Sequence, residues 1–144
     1  MEDEFRGILR TDKDIATTLK QLGREFLSLI LSEGSIRLRR IVWMEAHRIP
    51  ELRKAFYEVG RVRMIARIAT YLEEKTCQGM SAVTHSRITS EQLLDSLIGE
   101  LLRRAMLCIE GVTTRERNLR VKIAVEAFLR AYRPVTKTGV VARP

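Results

Sequence analysis

From residue 12 to residue 134 the apolar side chains recur at steps of three and four, and only one long stretch, 78–89, lacks that period. A helix turns about 100° per residue, so this spacing gathers apolar side chains into one stripe, whereas a half-buried strand would alternate. Three prolines and eight glycines in 144 residues leave little material for the many tight turns of a β-rich fold. The expected fold is therefore all-α, with five main helices in an antiparallel bundle. A chain of this length fits one domain and can bury a sizeable core.

Residues 1–11 contain Phe5, Ile8 and Leu9, spaced like the last turns of a helix, and read as the end of a connecting element. Residues 12–134 form the main domain. Residues 135–144 have no pattern and read as a flexible tail. The first full helix, 12–32, carries the stripe Ile15, Leu19, Leu22, Phe26, Leu29 and Ile30. Asp12 and Asp14 lie in its first turn, where the helix dipole favours negative charge, and Gly34 is a plausible stop. In the second helix, 36–48, Leu38, Ile41, Val42, Glu45 and Ile49 share a face, while Ile36, Arg40, Trp43 and His47 point away. Pro50 ends that helix and suits the first turn of a third, which runs to about Thr76. There Leu52, Ala55, Phe56 and Val59 define a face, but past Gly60 the apolar residues Ile65, Ile68 and Leu72 move to the opposite side. Either the helix bends or breaks near Gly60, or it packs between two layers.

After the aperiodic loop, Thr89 with Gln92 resembles a capping box, and a fourth helix runs to Ile109 with Gly111 as its terminal glycine. Thr113 with Glu116 marks a second box and a fifth helix to about Arg133. Val121, Ala124, Val125, Phe128, Ala131 and Tyr132 form its main face; Leu119, Ile123 and Ala127 form another. These two helices have more apolar surface than one core needs, and the simplest second partner is another copy of the chain. A helix pair from each copy would make a four-helix bundle, for which Leu102, Met106, Val125, Phe128, Leu129 and Tyr132 are the expected dimer interface.

The net charge of +8 suggests nucleic acid or an anionic surface. The basic residues are interleaved with acids, however, and enriched only between Arg37 and Arg67. The Arg-rich second helix has no short turn and partner helix ahead of it, as a helix-turn-helix requires, so these charges read first as a solvated face. A basic helical nucleic-acid-binding protein is the rival reading. No run approaches eighteen apolar residues, so no membrane partner is expected, and the acidic start MEDEF is not a secretory signal. Cys77 and Cys108 are far apart and read as reduced thiols of a cytoplasmic protein. His47 and His85 have no partners at metal-ligand spacing, and neither a nucleophilic constellation nor a cofactor motif occurs. The expectation is no enzyme, no metal and no cofactor.

Glu45, on an apolar face, has two readings. It is a buried carboxylate paired with Arg104 or Arg24, or it meets the amine or hydroxyl of a ligand in a pocket. Leu22, Phe26, Val42, Phe56, Ile98 and Leu101 are core side chains that, in a helical bundle, also serve as pocket lining, and with Glu45 they form the candidate ligand-binding set.

The run Ile41 to Tyr57, IVWMEAHRIPELRKAFY, resembles the regulatory domain of tetracycline-repressor-type (TetR) transcriptional regulators. Its pattern is Glu45-Ala46, then Ile49-Pro50-Glu51-Leu52, then Ala55-Phe56-Tyr57, with Ile49 where an aromatic is usual. The ending Ala127 to Pro134, AFLRAYRP, is similar to the last helix of that family. The resemblance covers Phe5 to Pro134 and implies a homodimer that binds a small-molecule effector between its helices and pairs through its last two. It also implies a helix-turn-helix head, for which this sequence has no counterpart. DNA would then be reached only through that missing head. The alternative within this resemblance is a headless interaction protein that pairs with full-length regulators.

Overall fold

The computed structural model describes residues 2–10, 12–109 and 111–135; nearly all of the expected tail lies outside the described residues. The elements are α1 (Glu2–Leu9), α2 (Ile15–Ile30), α3 (Glu33–Glu45), α4 (Pro50–Tyr57), a π-helical turn (Glu58–Val62), α5 (Arg63–Cys77), α6 (Ser86–Met106) and α7 (Thr114–Ala131). Among the described residues the fold is all-helical. Helix α6 is the central element and touches α2, α3, α5 and α7. Its Leu93, Leu94, Leu97 and Leu101 are almost fully buried against Leu19, Leu22 and Leu27 of α2, Ile65, Ile68 and Leu72 of α5, and Val121 and Val125 of α7. Burying a leucine or isoleucine in this way stabilises the fold by roughly 1.5–3 kcal/mol each.

Helix α2 begins where Asp14 accepts hydrogen bonds from the Thr17 amide (2.7 Å) and hydroxyl (2.9 Å). Those bonds favour the charged carboxylate and hold its pKa below the usual value. Gly34 does not end this helix. Ser32 follows α2 and caps α3 by accepting from the Ser35 amide at 3.3 Å, so Gly34 falls inside the first turn of α3. Gly23 sets the spacing of α2 and α7: a Cβ there would stand 3.0 Å from Val121 Cγ1, too close for an ordinary contact.

The inward face of α3 differs from the expected one. Ile36 is buried with Val42, whereas Leu38 and Ile41 are about half exposed. The cause is Arg40, whose Nη2 donates to the Ala105 carbonyl at 2.7 Å and lies 3.1 Å from Cys108 Sγ. A cation is favoured at the C-terminus of α6. Anchoring it there turns α3 so that Ile36, one turn earlier, faces inward.

The phase change after Gly60 arises from the π turn, not from a break. A π turn holds an extra residue within a continuous helix and rotates all later side chains by about 100°. Phe56 therefore faces one way and Ile65, Ile68 and Leu72 another.

Helix α6 starts at Ser86, earlier than expected, because Thr89 is buried within it rather than capping it. Thr89 Oγ1 lies 3.5 Å from the Tyr132 hydroxyl, and the preceding loop is pinned when the Ala82 amide donates to the Tyr132 carbonyl at 3.0 Å. At the other end Cys108, not Gly111, takes the left-handed conformation (φ 56°), and the Ile109 amide donates to the Arg104 carbonyl at 3.0 Å. A side chain in that conformation costs about 1–2 kcal/mol relative to glycine. Cys108→Gly is expected to raise the unfolding free energy by about 1 kcal/mol, read as a higher urea midpoint. Helix α7 starts as its sequence predicts, with Thr113 Oγ1 accepting from the Glu116 amide at 3.1 Å.

Candidate functional site

A cavity of about 1070 Å³ lies between α1, α2, α3, the α4–π–α5 helix and α6. Helix α3 presents Ser35, Leu38, Arg39, Val42, Trp43 and Ala46 to it, a row at three- and four-residue steps. Opposite stand Phe56, Tyr57, Val59, Gly60 and Met64 of the α4–π–α5 helix. The floor is Phe26, Leu29 and Ile30 of α2 with Leu94, Ile98, Gly99 and Leu102 of α6. Phe5 of α1 reaches it too and packs edge-on against Phe26, ring centroids 6.4 Å apart. Ligand pockets generally enclose about 300–1,000 Å³, so this one is of small-molecule size. Leu38, Trp43, Tyr57 and Val59 line it while more or less half exposed, and an apolar ligand would cover them.

Of the expected ligand-binding residues, the structure brings Phe26, Val42, Phe56 and Ile98 together around this cavity. Leu22 and Leu101 do not reach it: they lie one turn away on α2 and α6, 1% and 0% exposed, inside the core. Glu45 also stands outside the lining. It is partly exposed at the end of α3 and pairs with Arg48 at 3.4 Å. Of its two expected partners, Arg104 instead pairs with Glu116 at 2.7 Å and Arg24 is exposed on α2. The rotation of α3 accounts for both results, since it moves Glu45 off the inward face. The same rotation brings in Arg39 and Trp43, which the sequence pattern alone did not assign to the site.

The rim of the cavity is basic. Arg39, Arg53, Lys54, Arg61, Arg63 and Arg67 line it, against the single carboxylate of Asp95. Asp95 pairs with Arg61 at 2.9 Å, and that hydrogen bond raises the Arg61 pKa. Arg53 donates to the Ala46 carbonyl at 3.0 Å. The guanidinium of Arg39 lies over the Phe56 ring, 5.2 Å from its centroid.

Among the expected interface residues, Val125 (0% exposed) and Phe128 (8%) belong to the protomer's own core. Leu102 lines the cavity, while Met106, Leu129 and Tyr132 are partly exposed, Tyr132 tilted against Phe128 at 4.9 Å between ring centroids. The apolar row that α7 leaves uncovered is the second face, Leu119, Ile123 and Ala127. Among the described residues no three His, Cys, Asp or Glu side chains cluster as a metal site would require, and no helix is long and apolar enough to cross a membrane.

A family model for the C-terminal domain of AefR-like transcriptional repressors matches residues 17–134. This chain belongs to that TetR-type family. The domain superposes on a TetR-family transcriptional regulator from Mesorhizobium loti MAFF303099 with a TM-score of 0.83 and 26% identity, covering 91% of this chain and 65% of that one. It thus spans just under two thirds of that regulator's length. It superposes on the Flavonoid-responsive Regulator FrrA with a TM-score of 0.80 and 23% identity, covering 93% of this chain and 70% of that one, a likeness of fold. No curated protein matches it. The relatives are transcriptional regulators.

Proposed function

We propose that this domain is the effector-sensing and dimerisation part of a cytoplasmic TetR-type regulator. The observation that carries the proposal is the apolar cavity of about 1070 Å³ between the helices of a TetR-type C-terminal domain. A small molecule seated there touches α3, α6 and the π turn together. The π turn is the element best suited to respond, because its wider winding departs from regular α geometry and such turns are frequent at functional sites. A ligand that prefers one winding shifts the population toward it. In a dimer paired through α7, that shift changes the spacing of DNA-binding heads supplied by the regulator. The response of FrrA to flavonoids is a small-molecule response of this kind in a protein of the same fold.

The test uses Gly99, whose Cβ position meets nothing within 4 Å while its helix face lines the cavity. The neutral fluorescent probe phenylnaphthylamine is expected to bind the wild-type chain at one site per protomer. Gly99→Trp fills the space and is expected to weaken that binding by about tenfold or more, with the thermal midpoint unchanged or raised, since glycine is a poor helix former. Undiminished binding in Gly99→Trp overturns the assignment of the cavity as the ligand site.

A further inference from the structure

Arginines in this domain are matched to acceptors where the structure uses them to hold helices: Arg40 with Ala105, Arg61 with Asp95, Arg104 with Glu116. Arg39, which faces the cavity, has no such acceptor among the described residues. Its Nε is closed off from solvent with no acceptor, and its side chain makes no hydrogen bond or ion pair among the described residues. Its one contact of note is the Phe56 ring. Burial lowers its pKa, with no anion acting in the other direction. The group nevertheless stays charged at neutral pH. A half-buried cation without a counter-ion is unfavourable for the fold, and an incoming anion would relieve that cost.

The rest of the wall points the same way. Its one carboxylate, Asp95, is occupied by Arg61, so an amine would find no free partner there. The surrounding basic residues raise the local positive potential, which favours an anion. Phe5, Phe26, Trp43, Phe56 and Tyr57, most of the chain's aromatic side chains, line the same space and offer ring faces and edges to a flat body. A guanidinium is a planar fork that takes a carboxylate or sulfonate through two parallel hydrogen bonds.

We infer that the effector is an amphipathic organic anion, a flat apolar body bearing one acidic group, with Arg39 receiving that group at the α3 wall. The inference rests on the cavity being the ligand site. It assigns Arg39 a binding role and leaves the apolar lining to hold the body.

Two probes that differ only by a sulfonate group test it: anilinonaphthalene sulfonate and phenylnaphthylamine, which lacks it. The wild-type chain is expected to bind the sulfonate about tenfold to a hundredfold more tightly, the range for a hydrogen-bonded charge. Arg39→Met is expected to erase most of that preference while leaving phenylnaphthylamine binding in place. Arg39→Lys keeps the charge without the planar fork and should retain part of it. Equal wild-type affinity for the two probes overturns the inference, and it does so even if Arg39→Met does not fold. A preference that survives intact in a folded Arg39→Met overturns it as well. In both cases, loss of phenylnaphthylamine in Gly99→Trp shows that the cavity reading still stands. If Gly99→Trp binds both probes as the wild type does, the cavity reading fails and the inference falls with it.

Discussion

Leu101→Ala is expected to lower the unfolding free energy of the domain by about 2–5 kcal/mol, the range for removing a buried leucine side chain, while leaving phenylnaphthylamine affinity nearly unchanged. Leu101 is 0% exposed on the central helix, packed within the core formed with α2, α5 and α7. Three atoms of side chain are removed where no neighbour can collapse freely, so both the transfer loss and the residual cavity count against the fold. Ile98, one turn earlier, is the contrast: it lines the cavity, and its truncation enlarges a space that already exists. Ile98→Ala should therefore cost less stability and more probe affinity. Urea unfolding and fluorescence titration on the two variants separate the effects. Equal loss of affinity in both would show that the ligand space extends past Ile98 into the core.

The two leucines on the wrong side of that boundary show what a one-dimensional pattern resolves. Leu22, Phe26, Ile98 and Leu101 all fall on apolar stripes, and a stripe identifies the inward face of a helix. It does not say which stretch of that face meets another helix and which meets a cavity. That depends on where α3 and α4 stand away from the bundle, a matter of tertiary placement. Local signals were more reliable. Thr113 with Glu116 forms its cap because the bond closes within one turn of chain. The pair Thr89 with Gln92 has the same spacing, yet Thr89 is buried beside Tyr132, forty-odd residues on, and burial decides its role. The rotation of helix α3 is hidden from its own sequence for a comparable reason: the side chain that fixes it, Arg40, finds its acceptor on α6. The phase change after Gly60 was visible in the letters, but bend, layer change and π turn all displace a stripe, and only backbone geometry distinguishes them. Glycine is the usual residue at a left-handed position, and with Gly111 close by nothing in the letters singles out Cys108.

Ile123→Arg is expected to turn the proposed dimer into monomers while leaving the thermal stability of the protomer close to that of the wild type. On α7, Leu119 and Ile123 are 55% and 58% exposed and, with Ala127, form a row one turn apart on the face opposite Val121 and Val125. A two-fold axis near the middle of such a row would set each residue against its own counterpart or a close neighbour. One substitution per chain then places two guanidinium groups in the same apolar contact. Like charges brought together at an interface cost several kcal/mol, which raises the dissociation constant by about a hundredfold or more. Sedimentation equilibrium or native mass spectrometry reads this directly. Phe128→Ala is the control on the other face: Phe128 is 8% exposed in the protomer's own core, and its truncation should cost about 3–5 kcal/mol of folding stability whatever happens to the dimer. If Ile123→Arg remains dimeric and Leu129→Arg dissociates, the contact lies instead along the partly exposed edge of Met106, Leu129 and Tyr132. Met106 stands one helical turn from the cavity-lining Leu102 on α6, so the choice between the two rows also decides whether the partner copy would touch a cavity-lining helix directly or only α7.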